Sequence, residues 1–336
     1  MKTLLALLVG MAALVSASVQ ADTLDDVKKR GTLRCGLQDN SPGFSLVNPQ
    51  GKREGFLVDY CDAMAAAIFG EVKVEYVPLA PRDAFTTLKA GSIDIFVARA
   101  AMTYLRDAGQ GFSFPTIYFY EGQAFMVPKK AGINSAKQLG GATFCSTQGT
   151  TYELNLADWA STQNLKYTIV NFADFDETRR AYEEGRCDVW TADVGNLATR
   201  AGTLANRADH VILPDIISRE PLGPMVREGD DRWRKIAFWV QNLRIAAEDL
   251  GVTKANVEKM KAESKNPEVQ RMLGVNGDFG AKLGLSNDWA VAVLKATGNY
   301  AETWEAHLGP KTKLALARGQ SALVRDGGLL YPIPFR

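Results

Sequence analysis

The sequence predicts an α/β protein of two lobes joined by two crossovers and followed by a helical C-terminal extension. Three observations carry that reading. Strand-like and helix-like runs alternate from Thr32 to Val97, the same rhythm restarts after residue 130, and from Asp230 onward only helical spacing appears. A length of 336 residues agrees with about two domains. With 46% hydrophobic and 23% charged residues, the chain has the composition of a globular protein, neither disordered nor extensively membrane-embedded.

In the first unit, Thr32 to Leu37 suits a buried strand. From Asp59, the apolar residues Cys61, Met64, Ala65 and Ile68 have the spacing of a helix buried on one face, which Gly70 can end. Val72, Val74 and Tyr76 alternate with charged residues as a strand does. Ala84, Phe85 and Leu88 suit a short helix closed by Gly91, and Ile93 to Val97 a further strand. In the second unit, Thr143 to Ser146, Tyr167 to Val170 and Asp188 to Thr191 read as strands. Thr150 to Ala160 and Asp176 to Glu184 read as helices, the latter stopped by Gly185. Gln123 to Val127 and Pro224 to Val226 are short apolar stretches suited to extended crossovers. The expected division is therefore 22–127 with 221–336 for lobe 1 and 128–220 for lobe 2. Trp233, Ile236, Trp239 and Leu243 give the extension a buried helical face, with more helix around Ala290 to His307.

Residues 1–21 read as a secretory signal peptide: Lys2 supplies the positive start, Leu4 to Val15 is almost wholly apolar, and Val19-Gln20-Ala21 suits cleavage after Ala21. The apolar run is short of the roughly 20 residues of a membrane span. Lys2 is the only charged residue in the segment, so the mature chain carries as many basic as acidic residues. No basic excess is left for nucleic acid, which is not expected as a partner. Export also places Cys35, Cys61, Cys145 and Cys187 in an oxidising space, where disulfides are favoured over metal or thiol chemistry. Three pairings can be drawn, and the clustering of two early and two late cysteines favours Cys35–Cys61 and Cys145–Cys187. No CxxC is present and His210 and His307 are the only histidines, so no metal is expected.

Two lobes leave a cleft at the carboxyl ends of the strands, where open α/β sheets bind small molecules. Three candidates could face it. Gly149, Thr150 and Thr151 precede a helix, Thr150 and Glu153 match a capping box, and free N–H groups with hydroxyls at a helix start suit a carboxylate. Arg106 follows the strand ending at Val97, and its guanidinium can hold a carboxylate by two parallel bonds. Asp193, past the strand Asp188 to Thr191, can accept from an ammonium. Singly, these residues read as a helix start, a solvated Arg and a helix N-cap. Together they are complementary to a zwitterion.

Gly55-Phe56-Leu57-Val58-Asp59, Lys89-Ala90-Gly91-Ser92-Ile93-Asp94, Thr103-x-x-Arg106, Phe112-Ser113-Phe114-Pro115, Gln148-Gly149-Thr150-Thr151 and Gly185-Arg186-Cys187-Asp188 through Asp193 resemble the extracellular solute-binding proteins of polar amino-acid ABC transporters. Glu153-Leu154-Asn155-Leu156-Ala157-Asp158, Pro221-Leu222-Gly223-Pro224, Ser286-Asn287-Asp288-Trp289 and Gly327-Gly328-Leu329-Leu330-Tyr331 resemble the general L-amino-acid-binding branch. The resemblance spans essentially the whole mature chain. It implies the type II periplasmic-binding-protein fold, a monomer that closes on an L-amino acid in the periplasm and delivers it to a membrane permease and ATPase, and no cofactor.

Carried over by position, Arg106 and Thr151 take the α-carboxylate, Asp193 takes the ammonium, and the backbone from Ala98 to Met102, with Ala101, lines lobe 1's side. The chain departs from the branch in Val97-Ala98-Arg99-Ala100-Ala101-Met102, where a polar run is usual. It departs again at Ser41 and Pro81, where ligand-sandwiching aromatic residues are usual. Arg99 is expected to point toward the ligand side chain and favour an acidic one; its alternatives are solvent or a lobe 2 carboxylate. The same fold resembles some periplasmic dehydratases and lytic transglycosylases, but no HExxH, P-loop or GxGxxG motif is present, neither histidine sits near a nucleophile motif, and Glu153 is the nearest lone acid. A sensory binding protein that docks on a receptor is the third class.

Overall fold

The structure, a computed structural model, describes residues 22–38 and 40–336; the expected signal peptide lies outside them. The first sheet runs in the order Val74–Leu79, Leu33–Gln38, Ile95–Ala101, Glu220–Arg227 and Phe112–Ser113, and Phe119–Glu121 also pairs with Glu220–Arg227. Its first three strands are parallel and Glu220–Arg227 is antiparallel to its neighbour. Every residue of Ile95–Ala101 is buried, as a central strand covered on both faces requires. The second sheet repeats the plan: Thr168–Phe172, Thr143–Thr147 and Val189–Asp193 are parallel, then Gln123–Pro128 and His210–Ile212 are antiparallel additions.

The stretches expected to be bare crossovers are therefore sheet strands. Gln123–Pro128 lies in the second sheet and Glu220–Arg227 in the first, so the chain crosses at Gly122 and returns at Ser218-Arg219, not at 127 and 221. An unpaired extended segment would leave a row of buried N–H and C=O groups unsatisfied, and pairing in the sheet removes that cost. The two crossings touch. A β-carbon on Gly122 would lie 2.3 Å from Ile216 and 2.7 Å from the Ser218 carbonyl, and the Gln123 N–H donates to Ser218 Oγ at 3.0 Å.

Local signals set most element ends. Helix Phe56–Phe69 stops at Gly70, whose φ of 78° a side chain would resist. Pro81 occupies the first turn of Pro81–Lys89, where its missing N–H costs nothing. The expected helix around Ala290 to His307 is two helices, Trp289–Thr297 and Tyr300–His307. They break at Gly298, and Asn299 and Glu302 form a capping box that starts the second.

One apolar core runs from the first sheet through Phe56–Phe69 into Asp231–Asp249, Trp289–Thr297 and on to Phe335, so the C-terminal extension is part of lobe 1. In lobe 2 the strand Gln123–Pro128 divides its side chains by alternation: Ala124 and Met126 enter one core, Phe125 and Val127 the other. Each lobe holds one disulfide, Cys35–Cys61 and Cys145–Cys187.

Candidate functional site

A cavity lies between the lobes, and all eight sequence-predicted ligand residues line it: Ala98, Arg99, Ala101 and Arg106 from lobe 1, Gly149, Thr150, Thr151 and Asp193 from lobe 2. The lobe 1 group collects there because Ile95–Ala101 runs further than its apolar core suggests, carrying Ala98 to Ala101 to the cleft before the chain turns into Tyr104–Gly109. Asp193 is the last residue of its strand and precedes helix Val194–Ala201, but its side chain makes no capping bond. That frees one oxygen for the cavity.

The lobes meet across this space. Arg106 donates from Nη1 to the Ala101 carbonyl at 2.9 Å and from Nη2 to the Gly149 carbonyl at 3.2 Å, and its guanidinium lies 5.2 Å from the Phe85 ring centre. It is therefore a buried, braced cation; the solvated surface Arg is not what forms. Two of its five N–H donors are used on backbone, which leaves capacity for a carboxylate. Burial lowers its pKa, and Glu220, Tyr152 and Asp193 oppose that shift. Thr151 Oγ1 donates to Glu220 at 3.2 Å, a bond from lobe 2 to a lobe 1 strand.

The expected capping box of Thr150 and Glu153 does not form. Thr150 Oγ1 donates to the Thr147 carbonyl at 2.7 Å and accepts from the Tyr152 N–H at 3.3 Å, while Glu153 accepts from Asn171 at 2.9 Å. Helix Tyr152–Thr162 begins with Thr151 as its N-cap and no side-chain cap bond. Its hydroxyl is consequently turned to the interlobe contacts. Gly149 is required here twice over. Its φ is 77°, and a β-carbon would fall 2.6 Å from the Arg82 backbone nitrogen of lobe 1.

Arg99 is buried, so the solvent alternative fails. Its guanidinium sits 4.2 Å from the Phe44 ring centre and Nη2 donates to Ser41 at 3.1 Å, while Nε and Nη1 have no hydrogen-bond partner among the described residues. It makes no direct ion pair among them, although its charge acts on Glu121 and Asp193. Asp193 Oδ2 accepts from the Tyr152 hydroxyl at 2.9 Å and Oδ1 has no hydrogen-bond partner among the described residues. Burial first, then the charges of Glu121 and Glu220, push its pKa well up. An incoming ammonium would offset these effects by favouring the ionised carboxylate.

The sequence reading missed several residues that the fold brings in. Glu220 lines the cavity and accepts from Asn155 Nδ2 at 2.6 Å and Ser218 Oγ at 2.8 Å. Glu121 is buried beside Gly195, where an added β-carbon would lie 1.9 Å from its Oε1. Neither of its oxygens makes a well-formed hydrogen bond among the described residues, although the Gly195 N–H is near enough to oppose a burial-driven rise to about 7. The available signal was an acid at the end of a short apolar strand, as in Phe119–Glu121. The expected ring positions, Ser41 and Pro81, are filled as their sequence says, and rings reach the cavity from Phe85, Phe96, Tyr152 and Phe175 instead. No cluster of three His, Cys, Asp or Glu residues able to hold a metal occurs among the described residues.

Known proteins with this architecture bear on the site. The family model of bacterial extracellular solute-binding proteins, family 3, matches residues 33–239. The glutamate/glutamine/aspartate/asparagine-binding protein BztA of Rhodobacter capsulatus is 47% identical, over 98% of this chain and 97% of its own length. The general L-amino acid-binding periplasmic protein AapJ of Rhizobium johnstonii is 44% identical over 99% of both. Among solved structures, a periplasmic binding protein of an ABC transporter from Brucella ovis with glutathione bound superposes with a TM-score of 0.91 at 45% identity, covering 94% of this chain and 100% of that one. Matching sheet plan, interlobe cavity and sequence together, the chain belongs to the bacterial extracellular solute-binding proteins of family 3.

Proposed function

We propose that the protein is the extracytoplasmic binding component of an amino-acid ABC importer, capturing an L-amino acid between its lobes and handing it to a membrane permease and its ATPase. The observation that carries this is the convergence of Arg106, Thr151 and Asp193 on one interlobe cavity, with Asp193 Oδ1 unengaged among the described residues. Arg106 and Thr151 hold the α-carboxylate and Asp193 the ammonium, each a charge-assisted bond shielded from water when the lobes meet. A few such bonds supply the roughly −8 kcal/mol of a micromolar site. Arg99 faces the ligand side chain and favours acidic ones. The relatives' names and the glutathione in the Brucella ovis structure, a ligand that keeps the same ammonium–carboxylate end, support these anchors.

The mature protein starts after Ala21, acts as a monomer in the periplasm and has no part in nucleic-acid binding. Turnover is outside this reading: Glu153, the acid considered for it, bonds Asn171 and does not line the cavity. Calorimetric titration of mature, ligand-stripped protein with the twenty L-amino acids, dicarboxylates and their amides tests the proposal. Saturable binding of one or more amino acids is expected. Silence from folded protein, or conversion of an added amino acid, would overturn it.

A further inference from the structure

A second cavity of about 210 Å³ adjoins the first on the side away from the crossings. Gln38, Leu79, Pro81 and Phe175 line both, so the two are separated only by side chains that share them. The outer chamber is walled by Pro78 and Ala80 of lobe 1 and bordered by Asn40, Asp176 and Arg200, and it is open to solvent on one side. Asn40 Nδ2 donates to Asp176 at 2.6 Å across the lobes, and Arg200 Nη1 donates to the same carboxylate at 2.6 Å. Between the chambers stands Gln38, buried to 4% exposure, with its Nε2 lacking a partner among the described residues.

We propose that this outer chamber takes the distal part of a ligand longer than a free amino acid, namely an L-amino acid whose side chain is prolonged through an amide, as in a γ-glutamyl peptide. The inference rests on the amino-acid reading above, because the α-carboxylate and ammonium remain on Arg106, Thr151 and Asp193. Its own support is separate. A buried carboxamide N–H left unbonded carries a desolvation cost, which an amide carbonyl at the junction removes. Arg200 is paired with Asp176, and Asp174 also lines the chamber, so a dipolar amide suits it better than a buried anion, and a peptide's terminal carboxylate would stay in solvent at its open side. Pro78, Leu79, Ala80, Pro81 and Phe175 are its apolar walls.

The test compares L-glutamine, L-γ-glutamylglycine and glutathione by calorimetry on the mature, stripped protein and on the Ala80→Leu and Ala80→Phe variants. Ala80 lines the outer chamber and not the inner one, and its φ of −72° and ψ of 150° admit either replacement. The γ-glutamyl peptides are expected to bind within tenfold of glutamine or tighter. The larger residues should weaken the peptides progressively, by tenfold or more, and glutamine by less than threefold. Glutamine binding with peptides at least 100-fold weaker overturns the chamber's role, and so does an equal loss of glutamine and peptides in both variants. Silence toward every ligand from protein shown folded by its melting curve overturns the amino-acid reading, and this one with it.

Discussion

Lobe 1 and lobe 2 share one sheet plan, three parallel strands and an antiparallel fourth, yet they are held in different ways. Lobe 1 has one large core that reaches from Leu24 to Phe335 and absorbs the whole extension, and a small one, with Phe96, Ala98 and Met225, on the other face of its sheet. Lobe 2 also has two cores, both small, with no extension to thicken either. Each has one disulfide, but the Cys145–Cys187 bridge ties together a body with far less buried apolar surface. The difference assigns roles: lobe 1 is the broad frame, and lobe 2 the smaller body that brings Gly149, Thr151 and Asp193 to it. The crossings, packed side by side at Gly122 and Ser218, are the only covalent links between them among the described residues.

The sharpest way to break this division is to remove the residue that joins the lobes through ligand and backbone alike. Arg106→Ala takes one of the two buried cations of the cavity from Glu220 and Asp193 and removes the carboxylate partner, a loss on the order of 3–5 kcal/mol in ligand affinity. Calorimetry should therefore find binding weakened by more than 100-fold; a change under tenfold would show that the carboxylate sits elsewhere. Next in size is the asymmetry of the disulfides. Each bridge contributes roughly 3–4 kcal/mol by the loop it closes. The Cys145→Ser/Cys187→Ser variant should lose hydrogen-exchange protection throughout lobe 2 while lobe 1 keeps its own, and uniform loss in both lobes would mean that they unfold as one unit.

Gly149→Val probes the contact rather than either lobe. Its β-carbon would press on the Arg82 backbone, which cannot move aside as a side chain can, and the positive φ adds strain. Ligand affinity should drop by tenfold or more, and small-angle scattering should show no ligand-induced compaction; compaction at normal affinity would contradict the interlobe packing. Arg99→Ala is smaller and directional. Glutamate should weaken more than glutamine, by about 1.5 kcal/mol, the low end for a hydrogen bond to a charged group, and equal effects would sink the selectivity assigned to Arg99.

The smallest effect is in pH. Burial raises both Glu121 and Asp193, so the ligand-free protein holds protons above the ordinary carboxylate value of about 4, up to about 7 for Glu121. Protons bound by the folded form and not by the unfolded chain mean that this contribution to stability is present at low pH and is lost as pH rises through that window. A ligand ammonium favours the ionised acids, so binding should release protons and tighten between about pH 5 and 7. Titrations in buffers of different ionisation enthalpy measure that release directly; none at pH 6 would remove these two acids from the ligand's reach.

Much of this was readable from local patterns. The alternation of strands and helices, the stops at Gly70 and Gly185, the pairing of early with early and late with late cysteines, and the place of Arg106, Thr151 and Asp193 at the cavity all follow from spacing, residue chemistry or resemblance, because each depends on a local pattern or on a motif. What those signals could not carry were relations between distant segments. Gln123–Pro128 and Glu220–Arg227 look like free connectors until each finds the opposite lobe's sheet, since an apolar extended run has the same pattern paired or unpaired. Thr150 and Glu153 have capping-box spacing, but Thr147 and Asn171 compete for them and win. Glu121 and Glu220 are two isolated acids in sequence. Only folding brings them near Asp193 and Arg106, where burial and the neighbouring carboxylates raise the pKa of Glu121 and of Asp193.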